Sequence, residues 1–217
     1  MKSRQEIKAL AKDAMKQQRV TAIFTLILAW LIIMAGNVFG IIPIFGSLVV
    51  LGTLIFIDYP LMVHVEGVFI KIYNREQTSI NDLFSGFSVN LLRKAGGMAW
   101  MMLWIFLWLL LLVIPGIVKM YAYSFTPLIL AEFPNVTARD ALKLSMRMTN
   151  GHKMKLFVLS LSFIGWFFLG FLTFGILLVV FVYPYFYTAY AGYYVELRDK
   201  ALAEGVITRE ELYGRQQ

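Results

Sequence analysis

Residues 20–57 read VTAIFTLILAWLIIMAGNVFGIIPIFGSLVVLGTLIFI, 38 positions without a charge, and the run closes on Asp58-Tyr59-Pro60. A helix rises about 1.5 Å per residue and needs about 20 apolar residues to cross the hydrocarbon core of a bilayer, so the run is long enough for two crossings. Gly36-Asn37 and Gly40-Ile-Ile-Pro43 supply the breakers for a tight turn between them. Two more runs are built alike. Residues 95–131 carry only Lys119, and residues 156–195 are 40 positions without a charge. The pattern predicts an all-α, polytopic membrane bundle of six transmembrane helices arranged as three hairpins.

Composition agrees with that class. Of 217 residues, 59% are hydrophobic and 15% charged, more apolar matter than a soluble core of this size can hide. The net charge of +7 could signal nucleic acid, but 19 of the 20 Lys and Arg residues fall in 1–19, 71–94, 139–155 and 198–215, between and outside the apolar runs. Basic loops resist translocation, which puts both termini and the two long loops in the cytoplasm and makes membrane lipids, not nucleic acid, the expected partner. The first run follows 19 polar residues with no small-x-small cleavage site and reads as a retained signal anchor.

A repeat organises the chain. Ser3-Arg-Gln-Glu6 has capping-box spacing, and Ile7, Leu10, Ala11, Ala14 and Met15 follow at helical intervals. Ser79 can cap a second segment with Ile80, Leu83, Phe84, Phe87 and Leu91 on one face, although Gly86 and Asn90 allow a plain loop as well. Thr137-Ala-Arg-Asp140 opens a third, closed by Asn150-Gly151. Each hairpin is thus expected to follow an amphipathic helix on the inner leaflet. The turns fall near Pro43, Pro115-Gly116 and Thr173-Phe-Gly175, and the returning spans carry Pro60, Pro127 and Pro184 in their inner halves. Tyr59, Thr126 and Tyr183 are the hydroxyls nearest the carbonyls that these prolines free. Residues 1–196 form the membrane domain. Residues 197–217 form a short cytoplasmic tail of two helices, broken at Gly205 and recapped at Thr208.

Few residues carry chemistry. Asp58 is a carboxylate inside a span, where a charge is costly and faces a polar interior or a partner. Tyr183, Tyr187, Tyr190 and Tyr194 share one helix face. With Asp58 and Tyr59, the first three make a candidate polar intramembrane site, the plain alternative being an interfacial aromatic belt. Thr188 and Gly192 at small-xxx-small spacing permit close helix approach. Arg139, Lys143 and Arg147 form a basic stripe continued by Lys153 and Lys155, a candidate surface for anionic lipid or an acidic partner; its plainer role is topology setting. His64 and Glu66 point to different helix faces, His152 is the only other histidine, and cysteine is absent, so neither a metal nor another cofactor is expected. Nucleophile elbows, Walker loops and His-Glu-x-x-His are absent too.

Ala141-Leu-Lys-Leu-Ser145-Met-Arg-Met-Thr-Asn-Gly151-His-Lys153-Met-Lys-Leu-Phe157, continued by Gly165-Trp166, Thr173-Phe-Gly175, Tyr183-Pro184-Tyr185 and Thr188-Ala189, closely resembles the hallmark of a bacterial membrane family, domain of unknown function 975. The likeness extends over residues 1–197. It implies a six-helix protein of the Gram-positive cell membrane, distantly similar to the membrane region of some glycerophosphodiester phosphodiesterases, whose separate catalytic domain this chain lacks. The expected function is non-enzymatic: a scaffold or accessory subunit at the cell envelope, with homo-oligomerisation through the tail or a further membrane or cytoplasmic protein as its partner. The alternative is a small-molecule or peptide transporter, or an immunity-type exporter, that uses Asp58.

Overall fold

The computed structural model describes residues 2–41, 45–85, 87 and 90–213; Pro43 and Gly86 lie outside this set. The described residues fold as helices and turns without a strand. Five helices are long and apolar enough to cross a membrane: Arg19–Asn37, Gly46–Tyr73, Leu91–Leu111, Val113–Glu132 and Lys153–Leu172. The sixth expected span, from the turn near Gly175 past Tyr183-Pro184 to about Glu196, falls on the helical Leu178–Val182 and Tyr183–Ala203 but is not among them; its apolar start gives way at Tyr183 to closely spaced tyrosines.

Helix α1 (Arg4–Gln17) starts where the capping box places it: the Ser3 amide donates to Glu6 Oε2 at 2.6 Å, and the Glu6 amide donates to Ser3 Oγ at 3.2 Å. Its Ile7, Ala11, Ala14 and Met15 are buried, and it packs along α11 (Tyr183–Ala203). Helix α2 (Arg19–Asn37) leads to α3 (Phe45–Thr53), a wide turn at Leu54–Asp58, and α4 (Tyr59–Tyr73). Proline explains the wide turn. Pro60 has no N–H for the carbonyl one turn back, so the ladder loosens and the Tyr59 amide reaches the carbonyl of Leu54, five residues earlier. Pro184 does the same, with the Tyr183 amide reaching Leu178. The repeated prolines therefore mark repeated joints.

The middle segment departs from a helix. Ile80–Leu83 make one tight turn, its Ser79 amide bonded to Asp82 Oδ2 at 2.7 Å, and Asn90 adopts a left-handed φ of 54° before α5 (Leu91–Leu111) begins. Of the expected apolar face, Leu83 is buried and Ile80 and Phe84 are exposed. The reversal after α5 comes at extended Leu112, three residues ahead of Pro115, which sits in the first turn of α6 (Val113–Tyr123). Proline is tolerated there because a first-turn N–H has no helical acceptor.

Helix α7 (Thr126–Glu132) follows a break at Ser124-Phe125, and α8 (Ala138–Thr149) repairs that break. The buried Ser145 hydroxyl donates to the Ala122 carbonyl at 2.8 Å and accepts from the Phe125 amide at 3.1 Å. Thr126, the expected satisfier, keeps its hydroxyl buried with no hydrogen-bond partner among the described residues. At Pro184 the proline's own carbonyl, and not the one it frees a turn earlier, accepts from Thr188 Oγ1 at 2.7 Å. Helices α9 (Lys153–Leu161) and α10 (Ile164–Leu172) lead to the turn at Phe174 and Gly175, both left-handed. Gly205 (φ 67°) ends α11, and Thr208 caps α12 (Arg209–Tyr213).

Helix α4 is the centre of the bundle, touching α2, α5, α7 and α11. Burial concentrates there, at Leu61, Val63, Phe69 and Ile72, and on α7 and α11, whereas the distal tips expose Leu110, Leu111, Ile114, Phe171 and Phe174. Apolar helix tips with their backbone bonded internally suit hydrocarbon.

Candidate functional site

The site forms around α4, whose faces line three cavities. The first, about 440 Å³, lies between α2, α4 and the start of α11 and is lined by Leu26, Ala29, Trp30, Ile33, Leu61, Met62, Val65, Met98, Pro127 and Val179, with Tyr183, Tyr187 and a single carboxylate, Glu66. The second, about 250 Å³, is lined by Glu66, Tyr187 and Tyr190 with Tyr121, Ser124, Ser160, Phe186 and Met120. Glu66 and Tyr187 are common to both. Glu66 is half-buried, and its Oε2 is buried with no hydrogen-bond partner among the described residues. A carboxylate oxygen left so in an apolar site carries a desolvation cost that a hydrogen-bond donor or a cation would relieve.

The expected cluster therefore divides. Tyr183, Tyr187 and Tyr190 come together around the two cavities, but Asp58 and Tyr59 line neither. Asp58 closes the wide turn ahead of α4, is 5% exposed, and has its Oδ1 buried without a partner among the described residues. That turn packs against α2 and α5, away from the tyrosine face. Glu66 is not among the expected site residues, because the second span is expected to close on a charged exit at Glu66 and Lys71. The helix runs on to Tyr73, and the apolar Val68-Phe69-Ile70 beyond Glu66 was the available signal. Tyr194, fourth in the tyrosine line, donates to Glu132 Oε2 at 2.6 Å, and Glu132 also pairs with Arg198.

The basic stripe is largely engaged within the chain. Arg147 pairs with Glu211 at 2.5 Å and bonds the Val206 carbonyl, Lys143 lies 3.6 Å from Asp140, and the Arg139 guanidinium sits 5.8 Å from the centre of the Trp100 ring. Lys153 and Lys155 begin α9. The tail thereby docks on its own chain: Ile207 and Leu212 are buried, the Tyr213 ring packs on Phe133, and Asn135 donates to the Tyr213 carbonyl. The Arg147 partnership holds Glu211 below its ordinary carboxylate range, helped by the Thr208 amide.

The third cavity, about 260 Å³, lies on the opposite face of α4 and gathers His64, Lys71, Arg93 and Lys94 with Asp82, Ser85 and Asn90. Lys71 pairs with Asp82 at 2.7 Å, and Lys94 Nζ is 2.9 Å from His64 Nε2. The Lys71 bond, together with the Ser79 amide, keeps the Asp82 carboxyl below its usual range. Among the described residues no group of three or more His, Cys, Asp or Glu is placed to hold a metal ion.

No curated protein and no solved structure matches the chain, so the likeness to glycerophosphodiester phosphodiesterases is not shown. The profile of a family described as "Protein of unknown function (DUF975)" matches residues 93–201, a narrower extent than residues 1–197. The matched segment spans α5 to α11, including Tyr183, Tyr187, Tyr190, Arg93 and Lys94, with Glu66 upstream of it. The match covers half of the chain, and the chain belongs to this family, DUF975.

Proposed function

We propose that this chain is a six-span protein of the bacterial cell membrane, with both termini cytoplasmic, that works by binding and not by catalysis: an accessory or scaffold protein that holds a lipophilic cation in the Glu66 cavity. One observation carries the reading. The carboxylate of Glu66 faces an apolar, aromatic-bordered cavity with one oxygen unpartnered among the described residues. A carboxylate beside Trp30, Tyr183 and Tyr187 suits an alkylammonium group, which gains Coulomb attraction and cation–π contact while its apolar part fills the remainder. The residues 178–203 supply the sixth span, and the surfaces of α1 and α8 that α11 and α5 leave uncovered rest at the inner leaflet.

Transport is the second reading, favoured because Glu66 and Tyr187 border two cavities at once. A cation passing from one to the other would stay in reach of the same carboxylate. The coupling residue would then be Glu66 in place of Asp58.

The test uses purified protein in uncharged detergent with a fluorescent long-chain quaternary ammonium probe. Saturable binding that weakens about tenfold in Glu66→Gln supports the cation site, because a charge-assisted contact is lost. Binding unchanged by Glu66→Gln rejects it. Flux of the same probe in proteoliposomes, lost in that variant, would select transport over holding.

A further inference from the structure

We infer that Arg4 and Lys8 of α1 hold the phosphate of an anionic phospholipid where they meet the break between α9 and α10. Arg4, Lys8, Lys12 and Lys16 recur every four residues and so share an arc of about 120° on α1. Lys12 and Lys16 are exposed, and none of the four forms an ion pair among the described residues. The carboxylates of α1 are engaged elsewhere: Glu6 accepts from the Ser3 amide, and Asp13 pairs with Arg75 at 2.8 Å. Glu196, on the helix that packs along α1, is taken by Lys2. The first two cations are fixed at a defined place. Lys8 Nζ donates to Ser162 Oγ at 3.2 Å and lies 4.2 Å from the centre of the Phe163 ring and 5.7 Å from that of Tyr185. The Arg4 guanidinium reaches the Val158 carbonyl at 3.5 Å through one terminal nitrogen. All these partners are neutral. An ammonium carries three donors and a guanidinium five, so both side chains keep donors for an oxyanion. Burial, and then the charge of Arg4, holds the Lys8 ammonium below its ordinary range, as expected of two cations one turn apart.

Depth decides the partner. Ser162 lies about 13 Å into the membrane-crossing helix that opens at Lys153. A cation drawn that far from water is stabilised by an opposite charge, and the anion that a leaflet brings closest is a headgroup phosphate. Leu161 and Ile164, which flank Ser162-Phe163, are 49% and 59% exposed and offer an apolar surface to the acyl chains of the same molecule. Phosphatidylcholine carries its own quaternary ammonium, which Lys12 and Lys16 repel, so the stripe selects a lipid whose headgroup adds no cation. The site shares no residue with the two Glu66 cavities and is independent of the cation proposed there.

The experiment follows the thermal midpoint of the full chain in uncharged detergent while short-chain phosphatidylglycerol, short-chain phosphatidylcholine or glycerol phosphate is added. Saturable stabilisation by phosphatidylglycerol alone supports the site when its apparent affinity falls about tenfold in Lys8→Gln and holds in Lys16→Gln, since a charge-assisted bond is lost only in the first. Should Lys8→Gln fail to fold, Arg4→Gln, which leaves the aromatic contacts of Lys8 in place, must show the same fall, and Lys8→Arg, which keeps the charge, must retain the affinity. An equal fall in Lys16→Gln would mean attraction spread along α1 and overturns the inference. So does stabilisation by phosphatidylcholine or by glycerol phosphate that equals that by phosphatidylglycerol, and so does the absence of any stabilisation by phosphatidylglycerol.

Discussion

Glu66 and Tyr187 border the same two cavities, one on each side of the contact between α4 and α11. The phenol ring of Tyr187 stacks on Phe69 at 5.2 Å, so α11 is fixed against α4 just one turn from the carboxylate. A rigid ring beside an oxygen without a partner among the described residues gives the two carboxylates of the Gly46–Tyr73 helix different roles, and these can be separated. Glu66→Gln is expected to weaken cation binding about tenfold, whereas Asp58→Asn, lining neither cavity, leaves it intact. Equal effects of the two substitutions on probe affinity would contradict this division.

Asp58 should respond in stability instead. Its Oδ1 is buried without a partner among the described residues, and an orphaned polar group costs about 1–3 kcal/mol. Asp58→Leu removes that cost at similar size and is expected to raise the thermal midpoint in detergent, while Glu132→Leu, which takes a mostly buried partner from Arg198 and Tyr194, lowers it. A lowered midpoint for Asp58→Leu would show that the carboxylate is used.

Much of the architecture was legible because its signals are local. Ser3, Thr137 and Thr208 cap helices through hydroxyls and amides three residues apart, and Gly151, Gly175 and Gly205 take left-handed conformations that any chain reading can anticipate. The site was less legible. Glu66 reads as a boundary until α4 is known to continue to Tyr73, and its cavity exists only where α2, α4 and α11 meet. The repair of the Phe125 break by Ser145 was likewise hidden, since the two residues are 20 positions apart and the nearer hydroxyl, Thr126, does not serve. The middle segment stays ambiguous in sequence because Leu83 and Phe84 fit a helix while Asn90 ends one.

Close approach of α11 to α4 depends on Gly192. A Cβ placed there would lie 2.3 Å from the Tyr73 ring, so any side chain must displace an aromatic group packed between helices. Lipid-embedded helices gain little from hydrophobic burial against one another and depend on such packing. Gly192→Val is expected to destabilise by about 1–3 kcal/mol through overpacking. Gly165, where a Cβ would meet nothing within 4 Å, should accept the same change almost silently. Comparison of their thermal midpoints checks the contrast.

The Glu132, Arg198 and Tyr194 network joins the end of α7 to α11. Both charged side chains are mostly buried, at 21% and 15% exposure; Glu132 relies on Arg198 for its counter-charge, whereas Arg198 also holds Asp199 at 2.8 Å. Arg198→Met alone is expected to destabilise by up to about 3–5 kcal/mol, because the carboxylate is left with the tyrosine hydroxyl only. Adding Glu132→Gln should recover part of the loss. A double-mutant cycle that gives no coupling would show the pair to be energetically independent.

The tail is expected to release in acid. Glu211 accepts from Arg147 and from the Thr208 amide, which lowers its pKa from an ordinary 4.5. A carboxylate with a depressed folded-state pKa contributes its stabilisation fully above the unfolded value and loses it as pH falls through the folded one. Hydrogen exchange over 206–213 should therefore stay slow at neutral pH and accelerate only below about pH 4.5, the carboxyl's ordinary value. Because Arg147 and Glu211 are 43% and 39% exposed, solvent screening keeps the effect local to the tail and leaves the bundle folded. Arg147→Gln should accelerate exchange in the same residues at neutral pH. Exchange in Arg147→Gln that matches the unmodified chain would mean that buried Ile207 and Leu212 hold the tail without the ion pair.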